Sequence, residues 1–474
     1  MKRFFKSILP VAALVVLLCS CGADQQRRPL VIISTNDMHA QIGNFARFAT
    51  AVQQCRDTAD VVLVDAGDRW TGNAYVDLVE HYTPMYELMN HLQFDISILG
   101  NHEFDRGQAY LAVADRQAKF TTLCANIKSD TVTFVQPIGD TVIVRGGVAM
   151  QFVGVVSNYD NGHPSGKDES YEGVTFDDPQ AVAAAVKRVE SKEPNLMVLI
   201  SHIGLERDIE FAESEGSAHY DLIIGGHSHD KYEKVVNGKL IGQTGSRLKC
   251  IGATTVTVGQ GGDISLRYRN ISLSDYAEDE AVASMIERYM DNPDLKKPVA
   301  QSSAKFNGSA VENMLMEALR TKANAEIGFY NAGGVRIGAI EKGDIPLSIL
   351  FNLDPFGSKL ATATMTTAQM KKFIMAKFND KVNVGESHTI DILSTTPYEV
   401  VRGADGDAVD VRFPKLQANR KYRVAMGNYL FNTYCELEYS AGAESDLLVT
   451  DILMEYLTAK GIISPDTTRR QTIR

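Results

Sequence analysis

Five short segments carry side chains of the kinds that hold divalent metals. They are Asn36-Asp37-Met38-His39, Asp65-Ala66-Gly67-Asp68, Gly100-Asn101-His102-Glu103 with Asp105 following, Ser201-His202, and Gly225-Gly226-His227-Ser228-His229. Each closes a short, almost wholly apolar run: 30–34, 61–64, 96–99, 196–200 and 222–224. Residues just past the carboxyl ends of strands in an open α/β sheet converge on one crevice. Two carboxylates, one amide and four imidazoles could therefore meet. The chemistry that needs such a set is two-metal hydrolysis. A carboxylate bridges ions about 3.5–4 Å apart, imidazole and amide ligands flank them, and the pair holds a hydroxide and clamps phosphoryl oxygens. The mixture of nitrogen and oxygen donors favours Zn, Mn or Fe over Mg or Ca. Uncharged ligands leave the metals net positive, which lets an acidic chain bind phosphate.

The chain is acidic: 474 residues carry a formal charge of −11, with 44% apolar and 23% charged residues. Its length predicts two or three domains, and its composition excludes disorder and collagen. Long-range repulsion of phosphate argues against a nucleic-acid polymer as partner. Lys2, Arg3 and Lys6 precede an apolar run over 8–18, too short to span a bilayer and fitting a signal peptide. Leu18-Cys19-Ser20-Cys21 resembles a bacterial lipobox. The expectation is a cleaved signal over 1–20, a lipid on Cys21, a tether over 21–29, and an exported protein anchored to a bacterial membrane, periplasmic or at the cell surface. An ordinary cleaved signal without lipid is the alternative. Cys55, Cys124, Cys250 and Cys435 are widely separated, with no CxxC pair and no zinc ribbon, and their pairing stays open. His81, His91, His163, His219 and His388 fall in none of the five segments and are read as structural.

The elements that must position these residues alternate. Continuous apolar runs suit strands buried on both faces, and 178–191, opened by Asp178-Pro179, reads as a helix. The α/β pattern runs to about residue 270 and equally allows a doubly wound sheet or two packed sheets. An acidic helix over 274–289 is broken by Pro293 and Pro298. The predicted domains are therefore 30–273 and 301–474, joined by a helical linker over 274–300. In the second, 360–365 and 422–430 read as strands. A helix over 368–378 is capped by Thr366 or Thr367, and 446–460 is a closing helix.

In order, Asp37-x-His39, Gly67-Asp68, Gly100-Asn101-His102-Glu103-Phe104-Asp105, His202-Ile203-Gly204 and Gly225-Gly226-His227-Ser228-His229 resemble the motifs of calcineurin-like metallophosphoesterases. With Asn331-Ala332-Gly333-Gly334-Val335-Arg336 downstream, the chain resembles the bacterial 5'-nucleotidase family, which includes UDP-sugar hydrolases and 2',3'-cyclic nucleotide phosphodiesterases. The resemblance implies an α/β fold, a β-sandwich flanked by helices, followed by an α+β C-terminal domain. It implies two divalent metal ions, one held by Asp37, His39 and His229, the other by Asn101, His202 and His227, with Asp68 bridging. His102 is then no ligand. It stabilises the transition state or protonates the leaving group, held by Asp105. A basic alkoxide leaving group needs such a donor, and histidine titrates in the right range. Asn331 and Arg336 match positions that contact substrate, and Phe356 and Tyr429 fall where the base is sandwiched. The implied reaction is release of phosphate from nucleoside 5'-monophosphates, with cyclic nucleotides or UDP-sugars as alternatives.

Three departures bear on this. Ala40 stands where the family has glycine, and Ser309-Ala310-Val311-Glu312-Asn313 lacks the usual Asn-x-Gly turn and any arginine. After Tyr429 the expected Gly-Gly-Asp-Gly-aromatic loop is replaced by 431–443. They leave the metal motifs intact and alter the nucleoside pocket, so a non-catalytic surface binding lipoprotein is the rival reading.

Overall fold

The computed structural model describes residues 28–130, 136–380, 389–434 and 442–474. The signal segment, Cys21, most of the tether, His388 and Cys435 lie outside the described residues, as does most of the altered loop after Tyr429.

Two six-stranded sheets pack face to face. The first runs in the order Ile264–Ser272, Cys250–Val258, Leu30–Thr35, Asp60–Asp65, Ile96–Ile98 and Thr121–Leu123. Its last four strands are mutually parallel. The second runs Lys231–Val236, Lys239–Thr244, Leu222–Gly225, Asn195–His202, Val148–Val156 and Asp140–Arg145, parallel through its centre. Alternation of side chains explains the continuous apolar runs. Leu30, Ile32, Val62, Val64, Ile96 and Ile98 face Phe152, Val198, Ile200, Leu222 and Ile224 between the sheets. Val31, Ile33, Val61 and Leu63 point the other way, into helices Phe45–Thr58 and Thr83–His91. Val153, Val155, Met197 and Leu199 cover the outer face of the second sheet, under helix Leu205–Glu213. A strand buried on both faces has no polar alternation to show. The first domain is thus the helix-flanked sandwich, and a single doubly wound sheet is excluded.

Helix Glu280–Tyr289 is capped by Asp279, which accepts from Val282 N, and it buries Val282 and Ile286 in the first-domain core. It starts later than 274 because Leu273–Asp275 forms a separate tight turn. Helix Pro179–Ala185 stops short of 191. Beyond it the Arg188 guanidinium donates to Asn195 O at 2.8 Å and pairs with Asp221, holding the chain extended.

The second domain is built on a five-stranded sheet in the order Ile392–Ser394, Ile327–Asn331, Lys421–Gly427, Lys359–Thr366 and Ala443–Leu448. Helices Gly308–Lys322 and Val449–Lys460 cover one face and Thr367–Phe378 the other. Thr366 caps the last of these in a reciprocal box with Gln369. Two predicted elements are corrected. The strand expected over 422–430 ends at Gly427, opposite Leu360, where the Asn428 side chain accepts from Lys359 N and helix Asn428–Tyr434 begins. The helix expected from 446 begins at Val449, because Leu448 still pairs with Lys359 in the sheet.

Candidate active site

All five ligand-bearing segments emerge at one edge of the sandwich, because the strands that deliver them are parallel within each sheet. His39 Nε2 lies 2.8 Å from His229 Nε2, and His229 Nε2 lies 3.4 Å from Asp37 Oδ1. Across Asp68, His202 Nε2 is 3.2 Å from Asp68 Oδ2, and His227 Nδ1 is 3.0 Å from Asn101 Oδ1. Asp37, His39 and His229 form one group able to hold a cation, and Asp68, His202 and His227 another. The seven residues named from sequence are brought together.

The donor set suits metals. His202 Nε2 is buried and faces the Asp68 carboxylate at 3.2 Å, a placement that suits a cation shared between them. Burial, with the Arg336 charge second, keeps His39 neutral well below the usual imidazole range. Burial, with His202 second, pushes His227 down to about 4. Neutral imidazole is the ligating form. At His202 burial opposes the charge, but Asp68 and Asp37 outweigh it and push the ring up to about 10: the carboxylates draw a cation to this spot. Backbone carbonyls behind the rings fix them, Ala66 O at 2.7 Å from His202 Nδ1 and Thr71 O at 3.2 Å from His39 Nδ1.

The backbone here is strained. Asp37, His39, Asp68, His227 and His229 all have left-handed φ, between 47° and 78°. Such conformations cost of order 1 kcal/mol or more each and cluster at functional sites. Ala40 shares the conformation, with φ 55°, which is why glycine suits that position. Gly100 is required for another reason: a Cβ there would stand 2.2 Å from Asp68 Oδ1.

His102 borders the cluster without joining either of these two groups, although it can form a third with His39 and Asp68. Its Nε2 is 3.9 Å from Asp68 Oδ2 and its Nδ1 is 2.9 Å from Asp105 Oδ2. Burial would lower its pKa, but Asp105 and Asp68 hold it above the ordinary histidine value.

The second domain reaches this edge. Asn331 ends its strand and packs over Gly334. After the turn Ala332–Gly334, Arg336 Nη2 lies 3.1 and 3.0 Å from the two ring nitrogens of His39. The Phe356 ring stacks on His102 at 5.6 Å, with the Arg336 guanidinium 5.5 Å from its centroid. Tyr429 has different surroundings, its ring 6.1 Å from Tyr434 and 5.9 Å from Lys377 Nζ.

Several supporting residues escaped sequence reasoning. Glu103, fully buried, accepts from the amides of Asp68, Arg69 and Gly100 and so ties two ligand loops together. Its place inside Asn-His-Glu-Phe-Asp was the available signal. Asn36 donates to Asp37 Oδ2 at 2.6 Å. Arg247 donates its amide to Asp37 O at 2.7 Å and its guanidinium to Arg336 O, linking a candidate ligand to the second domain. Thr71 donates its hydroxyl to Asp105 at 2.6 Å. Arg247 and Thr71 carry no sequence signature, whereas Asn36 lies inside the first ligand-bearing segment.

Residues 30–231 match the family described as calcineurin-like phosphoesterase, and residues 289–435 the family described as 5'-nucleotidase, C-terminal domain. The chain is 25% identical over 466 residues to Endonuclease YhcR of Bacillus subtilis, with 86% of this chain and 37% of that protein covered. It is also 25% identical over 478 residues to Trifunctional nucleotide phosphoesterase protein YfkN of the same organism, covering 85% and 32%. The chain thus spans about a third of the length of these relatives. The fold superposes on the 5'-nucleotidase precursor of Thermus thermophilus with a TM-score of 0.77 at 20% identity, covering 94% of this chain and 99% of that one. The chain belongs to the family that joins a calcineurin-like phosphoesterase domain to a 5'-nucleotidase C-terminal domain.

Proposed function

We propose that the chain is a metal-dependent phosphoester hydrolase whose preferred substrates are nucleoside 5'-monophosphates. The observation that carries this reading is the meeting, at one edge, of the seven donor side chains with the His102–Asp105 pair and Arg336. Asp37, His39 and His229 would hold one divalent ion and Asn101, His202 and His227 the other, with Asp68 between them. Zn, Mn or Fe suit these donors. When bound, such a pair supplies Lewis-acid charge for the phosphoryl oxygens and eases ionisation of water.

The chain's own residues supply the rest. Arg336 offers a fork of donors to the phosphoryl oxygens. Asp105 accepts from His102 Nδ1, which leaves Nε2 facing the cluster and able to pass a proton to the departing nucleoside oxygen. Phe356 stacks its ring on the His102 imidazole. Asn331 and Tyr429 are proposed to contact the nucleoside. A nucleotide substrate agrees with the name of YfkN and with the C-terminal family. Cyclic nucleotides and UDP-sugars would use the same groups. A purely binding lipoprotein has no use for a proton donor oriented by a carboxylate, and His102–Asp105 is intact.

The test is phosphate release from a panel of nucleotides with Mn or Zn, by wild type and by Asp68→Asn. Turnover by wild type alone supports the hydrolase. Tightly bound metal with no turnover of any ester would support the binder. We also propose export and a lipid on Cys21, supported by the basic start, apolar run and lipobox-like end. Mass spectrometry of the mature N-terminus checks this, and an unmodified Cys21 refutes it.

A further inference from the structure

Thr71 is 3% exposed and sits at φ 67°, a conformation that a β-branched residue rarely adopts. Its three polar groups are all engaged. The amide donates to Asp77 Oδ1 at 3.1 Å, and the carbonyl lies 3.2 Å from His39 Nδ1. The hydroxyl donates to Asp105 Oδ2 at 2.6 Å, the same oxygen that faces His102 Nδ1 at 2.9 Å. Asp77 holds the strained turn by accepting from the amides of Thr71, Gly72 and Asn73 in succession.

We propose that Thr71 is a positioning residue for departure of the leaving group: its hydroxyl pins the Asp105 carboxylate so that His102 presents Nε2 to the departing oxygen. The inference rests on the phosphoester reading above. The geometry gives the reason. The Asp105 side chain is 21% exposed, so water competes for its oxygens, and a carboxylate held only by His102 is free to rotate. A second donor on the same oxygen removes that freedom. The strain at Thr71 then has a function, since it aims the hydroxyl at Asp105 while the carbonyl of the same residue orients His39.

The experiment compares two esters that differ in their need for a proton. AMP releases a basic alkoxide, whereas p-nitrophenyl phosphate releases a stable phenolate. For Thr71→Val we expect kcat on AMP to fall about ten- to a hundredfold, with KM and the rate on p-nitrophenyl phosphate within about threefold of wild type. Thr71→Ser, which keeps the hydroxyl, should restore most of the AMP rate. Thr71→Ala relieves the β-branching and should show the same split, which covers failure of the valine variant to fold. Bound metal, measured by elemental analysis, should be unchanged. Equal losses on both esters with metal retained, or loss of metal, would overturn the role of Thr71 and leave the phosphoester reading standing. A wild type inert toward both esters would overturn that reading and this one with it.

Discussion

Arg336 of the second domain and His39 of the first meet across the domain boundary, the arginine Nη2 3.0 Å from the histidine Nε2. One cationic donor from the C-terminal half thus hangs over a candidate ligand of the N-terminal half. Arg336→Ala should raise KM for AMP roughly ten- to a hundredfold, the worth of one or two charge-assisted bonds. Arg336→Lys should recover only part, because a lysine cannot form the fork. Steady-state kinetics with metal content as control checks both, and an unchanged KM would refute the assignment.

The pH profile should report His102. Its pKa is held up by the Asp105 carboxylate beside it, with Asp68 adding to the effect, against the opposing effect of burial. The alkaline limb of kcat/KM for AMP marks loss of its proton. Asp105→Asn removes the nearer charge, so the limb should move to lower pH. A limb that stays in place would mean another group sets it.

Metal removal should be visible without turnover. Asp37 and Asp68 are buried side by side with four imidazoles, and a cation bound only in the native state stabilises it by mass action. Chelation should lower the thermal midpoint of the wild type, and Mn or Zn should restore it. Asp68→Asn should show little response to either treatment.

Stability should depend on pH through Asp354. This buried carboxyl, bonded by Ser358 at 2.8 Å, is pushed up to about 6 by burial. Its unfolded value is about 3.9, so between those points the native state holds a proton the unfolded chain has lost. Stability therefore falls as pH rises from about 4 to 7, by a few kcal/mol from this group alone. Asp354→Asn should flatten that slope, read as the difference from wild type in urea midpoints at the two ends of the window.

What the sequence made legible follows from burial. The strands of the sandwich are apolar on both faces, so Asp37, Asp68, Asn101, His202 and His227 stand out as abrupt polar ends of apolar runs. The layering was not legible, since both sheets send alternate residues into two different cores and neither core marks its residues as its own. The change from strand to helix at Gly427 was hidden because Leu430 is buried under either geometry. The residues that support the site were hidden for a different reason. Thr71 with Asp105 and Arg247 with Arg336 are partnerships between residues far apart in the chain, with no local periodicity to announce them.

The left-handed backbone at Asp37, His39, Asp68, His227 and His229 has an evolutionary corollary. Each of these positions trades conformational comfort for a donor atom, and glycine would relax every one of them. A descendant released from selection for activity should therefore lose these loops first to glycine, growing sturdier as it falls silent.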